Sequence, residues 1–431
     1  MGLNGEVIAS IQNYQQLSAS LLLYRSIFLD DIGRSFLDLL IELPKKDPFY
    51  ARGAYGRWFS ALANEQKSWQ QYLRDRILIA DNAFSARVQT LPASAIDQLE
   101  NHIEPHLLAA AENDLAILSR YYQLSAMQVS QWVGDACDSP APPFIADSST
   151  QSDWLTTASV ANHYRAHGVG IFGQFTAFRW QKISYSTTLP AGELVGIPSP
   201  DPIELSQLVA YDHPKQQLIQ NTEFLLRGYT AQNVLLYGSR GAGKSSLVKA
   251  LLNEYSAEGL RLIEVPKAHL PHLPHIIGTI SRVPQKFIIF IDDLSFEEDD
   301  EAFKALKVVL EGGMTARSQN VVVYATSNRR HLVREFFDDR PKPKDADEIQ
   351  SWDTVQEKLS FSDRFGLTLT FTPADQSTYL TIVHQLAQQA GLTLEAENLD
   401  WRARQWATRH NGRSGRTARQ FVDFLIAEQG D

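Results

Sequence analysis

Apolar positions follow two different rhythms along this chain. Over residues 1–135 they recur every three or four places. Leu21, Tyr24, Phe28, Ile32, Phe36 and Leu39 form one stripe, and Tyr55, Phe59, Leu62, Trp69, Leu73 and Ile77 a second. Leu108, Ala111, Leu115, Leu118 and Tyr122 form a third. That spacing lines one side of a 3.6-residue helix, so the region predicts amphipathic helices sharing a core. The pattern breaks at Asp138-Ser139-Pro140-Ala141-Pro142-Pro143 and stays polar through Ser152, which predicts a linker near 138–153. A short helix over 154–166 and a strand pair between Phe172 and Tyr185 are expected next.

From about residue 200 the rhythm changes. Short apolar runs at 233–237, 260–265, 287–291, 321–325 and 367–371 alternate with helical stretches. Nearly unbroken apolar strands separated by helices predict a parallel sheet covered on both faces. The last sixty or so residues carry helical patterns alone. The expected architecture is therefore an α/β parallel-sheet core over 200–372, a helical lid over 373–431, and a mainly α-helical N-terminal domain over 1–190.

Composition bounds this picture without sharpening it. The chain has 431 residues, a hydrophobic fraction of 44% and a formal charge of −10, which disfavours binding nucleic acid or membranes with its whole surface. One cysteine, Cys137, has no partner for an internal disulfide and suits a reducing compartment. The N-terminus lacks a basic region, Glu6 interrupts its apolar residues, and no apolar run is long enough for a bilayer. A soluble cytoplasmic protein with no membrane partner is the expectation.

Chemistry is concentrated at Gly238-Ser239-Arg240-Gly241-Ala242-Gly243-Lys244-Ser245, a complete phosphate-binding loop. Val234-Leu235-Leu236-Tyr237 leads into it as a strand, and Ser246 opens the helical stretch that leads out. Glycines let the backbone wrap with its N–H groups inward, and the helix N-terminus adds positive potential. Lys244 is expected to reach the β- and γ-phosphates of a nucleoside triphosphate, and the Ser245 hydroxyl to ligate Mg²⁺. About fifty residues on, Phe287-Ile288-Ile289-Phe290-Ile291 ends in Asp292-Asp293. At this place in phosphate-loop NTPases one carboxylate holds Mg²⁺ and the next polarises the attacking water. Asp292 is assigned to the metal and Asp293 to the water.

The order of these motifs resembles the AAA+ superfamily of ring-forming ATPases, along which residues 200–431 can be laid. The resemblance implies ATP as the nucleotide and a homo-oligomeric ring. Val323-Tyr324-Ala325-Thr326-Ser327-Asn328 resembles the strand carrying sensor 1, with Asn328 in that role. Ser362-Asp363-Arg364-Phe365-Gly366 resembles the arginine-finger segment, in which Arg364 would reach a nucleotide on a neighbouring subunit. Gly412-Arg413-Ser414-Gly415-Arg416-Thr417-Ala418 resembles sensor 2, where Arg416 is preferred and Arg413 and Arg419 stay open. More narrowly, Asn233 to Tyr255, Ile291 to Glu298, Ala325 to Leu332 and Arg413 to Arg416 resemble a bacterial AAA+ group catalogued as domain of unknown function 815. That group implies a predicted ATPase and supplies no substrate.

Two departures from the AAA+ pattern bear on mechanism. Asp293 is one methylene shorter than the glutamate most AAA+ motors use, so slow hydrolysis is expected. The stretch Pro266 to Lys286 contains no Phe, Tyr or Trp with which an unfoldase would grip a threaded polypeptide. Three readings of function remain: an ATPase that remodels or loads an unknown protein partner, a DNA-associated loader or motor, and a slowly hydrolysing nucleotide-gated scaffold. Six arginines and no acids between Trp401 and Val422 would suit a nucleic-acid face, with a solvated lid helix as the plainer reading. His269, His272 and His275 recur every three residues, as in a polyproline II turn, and are read as a Pro-rich loop in preference to a Zn²⁺ or Ni²⁺ site. Glu297 to Glu301 reads as a solvated helix start.

Overall fold

Helices of the N-terminal third begin where the sequence supplies caps. Asn4, Asp30, Asp47, Ser68, Asn82, Ser125 and Thr156 each accept a hydrogen bond from a backbone N–H of the first helical turn, which the helix itself leaves unpaired. The computed structural model describes residues 3–45, 47–147, 154–182, 192–208, 210–296, 301–311, 318–328, 360–410 and 412–429. The chain divides into two compact units, Met1–Gln174 and Phe175–Asp431.

In the first unit the three expected stripes become buried helix faces, with breaks the periodicity hides. The second stripe is split into helices Pro48–Asn64 and Trp69–Leu78, because Gln66 turns left-handed (φ 54°) and Ser68 forms a capping box with Gln71. At the centre Phe36 and Trp69 pack with ring centroids 4.2 Å apart, and Trp58, Tyr72 and Tyr121 close around them. Buried Asp114 accepts from the backbone N–H groups of Leu22, Leu23 and Tyr24, at 2.9, 2.7 and 3.0 Å. It thereby satisfies three backbone N–H groups of the loop after the first helix. The helix expected at 154–166 lies at Thr157–His167.

The second unit is built on a seven-stranded sheet: β1 Ala177–Lys182, β2 Gly192–Gly196, β3 Val234–Gly238, β4 Leu260–Glu264, β5 Lys286–Ile291, β6 Val321–Ser327 and β7 Leu367–Phe371. Their spatial order is β2-β1-β4-β5-β6-β3-β7. All pairings are parallel except β1 with β2. The five expected strands are therefore present, within a residue or two at their ends. Three helices, Gln376–Gln389, Ala396–Arg409 and Gly415–Gln429, make the lid around its own core of Tyr379, Val383, Ala403 and Phe421.

Several expectations change. No strand pair lies between Phe172 and Lys182: helix Gly170–Gln174 occupies the start of the expected segment and β1 follows, while β1's antiparallel partner lies further on, at β2; positions 183–185 lie outside the described residues. Because β1 also pairs with β4, the strands expected near the end of a 1–190 domain belong to the sheet, and the helical unit ends at Gln174. The histidine segment is not a polyproline loop. Lys267–His272 is a 3₁₀ turn running into helix Leu273–Ile280, and the rings of His272 and His275 lie 5.9 and 5.7 Å from that of buried Trp180. No group of His, Cys, Asp or Glu that could hold a metal exists among the described residues. Nor is any described helix long and apolar enough to cross a membrane. Positions 297–300 of the acidic run and the residues Arg329 to Leu332 lie outside the described residues.

Candidate functional site

Three strand ends converge because β3 lies between β6 and β7, with β5 beyond β6. The phosphate loop leaves β3 at Gly238, whose φ is +133° and where a Cβ would stand 2.0 Å from the Phe371 carbonyl oxygen of β7. No side chain fits there. Gly241 (φ 73°) brings the loop against the lid: the Arg416 N–H donates to the Gly241 carbonyl at 3.2 Å. Helix Lys244–Tyr255 then starts with its first N–H groups at the loop.

Lys244 is 6% exposed, and its ammonium donates to the carbonyls of Gly238 (3.0 Å) and Ser239 (2.8 Å) and to Asn328 Oδ1 (3.4 Å). Burial lowers its pKa; Arg416 and Arg240 push it down too, while Asp292 and Asp293 oppose the shift. Ser245 Oγ donates to Asp292 Oδ1 at 2.6 Å. Asn328 Nδ2 donates to Asp293 Oδ1 at 2.6 Å, so one amide bridges the loop lysine and the second acid. The register explains the meeting. Ile291 of β5 pairs with Ala325 of β6, which sets Asp292 beside Thr326, two residues before Asn328. The Leu294 N–H donates to the Thr326 carbonyl (2.7 Å) and ties the acidic turn back onto β6.

These groups line a cavity of about 760 Å³ with Arg416 and Arg419 of the lid. Arg413 does not line it and donates to Gln376 Oε1 at 3.1 Å instead. Among the described residues of the lining, four cations, Arg240, Lys244, Arg416 and Arg419, stand with two acids, Asp292 and Asp293, an excess of two positive charges. The lining also includes four apolar side chains, Ile203, Leu208, Ile382 and Leu386. The segment carrying Ile203 and Leu208 is fixed from two helices. Asn253 Nδ2 donates to the carbonyls of Asp201 (2.8 Å) and Ile203 (2.7 Å), and Lys215 Nζ to those of Leu205 (2.5 Å) and Leu208 (3.2 Å).

Arg364 is not brought to this cluster. It ends a 3₁₀ turn, Ser360–Arg364, with its Nε 2.5 Å from Glu311 Oε1, its guanidinium 5.7 Å from the Phe361 ring centre and its side chain 18% exposed.

Residues 173–429 match a family described as "Protein of unknown function (DUF815)". The chain belongs to the DUF815 family. The match covers nearly the whole second unit and leaves out all but the last two residues of the helical unit. This DUF815 chain is also similar to the replication factor C large subunit of Staphylothermus marinus, at 42% identity over 65 residues, 15% of each protein. Among solved structures it is similar to a variant of RuvB from Thermotoga maritima, at 13% identity and a TM-score of 0.33. It is similar as well to Thermotoga maritima RuvB titled a Holliday junction branch migration motor, at 14% and 0.31. Each RuvB similarity covers 52% of this chain and 72% of the other.

One DUF815 side chain at the site was passed over in the sequence. Thr326, 2% exposed, contacts both acidic residues. A threonine at a strand end is ordinary, so only its position two residues before Asn328 could have drawn notice.

Proposed function

We propose that the chain is a Mg²⁺-dependent ATPase of the AAA+ type that couples hydrolysis to remodelling or loading of a partner. The observation carrying this reading is the meeting of Lys244, Ser245, Asp292, Asp293, Asn328 and Arg416 at one cationic cavity that apolar side chains also line. A triphosphate with its metal has a net charge near −2, which the two excess positive charges of the lining offset. The apolar lining residues suit a base.

The donor set fits magnesium, since Ser245 Oγ and the Asp292 carboxylate are hard oxygen ligands already side by side. The ion would supply neutralisation of charge on the β- and γ-phosphate oxygens. Loop N–H groups from Ser239 to Ser246 hold the phosphates, and Lys244 and Arg416 balance developing charge. Asp293 accepts a proton from the attacking water, which Asn328 orients. With its short side chain engaged by Asn328, Asp293 makes turnover slow.

Arg364 acts in trans, completing the site of a neighbouring subunit in an ATP-favoured homo-oligomer. Its absence from the lining of its own chain's cavity supports this role. Turnover per chain should then rise with protein concentration. Arg364→Ala should retain nucleotide binding and lose about a thousandfold in turnover, as related fingers do. Mixing Arg364→Ala with Lys244→Ala should restore part of the activity, because some interfaces pair an intact loop with an intact finger. Concentration-independent turnover with a fully active Arg364→Ala protein would contradict the shared site.

A second reading, a nucleotide-gated scaffold with very little hydrolysis, is favoured by the Asp293–Asn328 bond. The DNA-loader reading is weakened by two ion pairs in the lid, Arg402 with Glu428 and Arg404 with Asp400, which occupy part of the arginine run. Steady-state turnover with and without DNA separates the three.

A further inference from the structure

Thr326 holds the two acids of the site together. Its Oγ1 donates to Asp292 Oδ1 at 2.5 Å and accepts from the Asp293 N–H at 3.0 Å. The same Asp292 oxygen receives Ser245 Oγ (2.6 Å) and lies 3.2 Å from the Asp293 N–H. Asp292 Oδ1 is therefore crowded with donors, which fixes the carboxylate's rotation and directs the other oxygen, Oδ2, away from them. Asp293 is held in a left-handed conformation (φ 51°), which a non-glycine residue adopts only when its surroundings compensate. The Thr326 hydroxyl accepting its N–H is one such support.

We infer that Thr326 is a positioning residue for both carboxylates: it sets the metal-facing oxygen of Asp292 and the backbone that aims Asp293. This rests on the ATPase reading above. A hydroxyl is needed because it must donate to one residue and accept from the next, which a methyl cannot do. A β-branched side chain suits its place in β6, so Thr326→Val preserves shape and strand preference while removing both bonds.

The test is binding of a fluorescent ATP analogue, first in EDTA and then across a Mg²⁺ titration, with thermal melting of each variant. Thr326→Val should bind the analogue in EDTA as the unaltered chain does. It should need about tenfold or more Mg²⁺ for half-maximal binding, as expected from losing a hydrogen bond to a charged group. Its turnover at saturating Mg²⁺ should remain lowered, and Thr326→Ser should restore both. If Thr326→Val does not fold, Thr326→Ala should show the same Mg²⁺ shift. An unchanged Mg²⁺ requirement in the folded variant would overturn the inference. So would equal losses with and without Mg²⁺ alongside a lower melting temperature, which describe a structural role alone. If the unaltered chain shows no Mg²⁺-dependent binding, the ATPase reading falls with it, whereas a silent Thr326→Val in a chain that does bind overturns this inference only.

Discussion

The two units use their polar residues in opposite ways. In the helical unit, polar groups serve the backbone: Asp114 satisfies three loop N–H groups, and residues such as Ser68 and Asn82 cap helices. Its large side chains are spent on an aromatic core. In the sheet unit, polar side chains gather at the ends of β3, β5 and β6 and bond to one another as well as to backbone, with Lys244, Asn328 and Asp293 in one chain of contacts. Groups that satisfy a backbone stabilise a fold. Groups that satisfy each other at a cavity can exchange those partners for a ligand. The contrast predicts that substitutions in the first unit change stability and leave nucleotide chemistry intact, and that substitutions at the strand ends change nucleotide binding or turnover at little cost in stability.

The largest expected effect lies in the helical unit. Trp69 is fully buried against Phe36, and Trp69→Ala should cost about 3–5 kcal/mol of that unit's stability. Denaturant melts should show this while ATP affinity in the folded protein stays as it was; a parallel fall in affinity would break the division. Next in size is Lys244→Ala. Removing the ammonium proposed to contact phosphate should weaken ATP binding by about a hundredfold or more, or about 2.7 kcal/mol. Its stability cost should be small, because burial already disfavours this charge in the fold. Calorimetric titration and thermal melting of one sample test both halves, and unchanged affinity would remove the loop assignment.

The smallest effect concerns pH. Lys244 has a lowered pKa in the free protein, and a bound phosphate favours its charged form, so binding raises that pKa. Affinity should be full below the free protein's Lys244 pKa and decline as pH rises through it, beginning at a less alkaline pH than an ordinary lysine would give. Titrations at rising pH should show this decline in the unaltered chain and not in Lys244→Ala.

How much the sequence revealed depends on how completely each element is buried. β5 and β6 are covered on both faces and read as solid apolar runs, so their ends and the acids that follow were plain. β1 mixes buried Phe178 and Trp180 with exposed Arg179 and Gln181, and its β2 partner begins ten residues later, so the pair was misplaced. The histidine turn contains Pro271, which reads as a loop although a 3₁₀ turn tolerates it. The phosphate loop is local in sequence and could be read whole. The bridge from Thr326 to Asp292 and Asp293 spans more than thirty residues and depends on strand register, which no spacing rule contains.

The central claim is that the strand-end cluster hydrolyses ATP. Phosphate release from ATP and Mg²⁺, measured for the unaltered chain and for Asp293→Asn at matched protein concentration, tests it most directly. The account predicts slow, Mg²⁺-dependent release by the unaltered chain, and an Asp293→Asn protein that binds ATP equally well and releases almost none. Equal release by both proteins, or none by either at concentrations where ATP is bound, would contradict it.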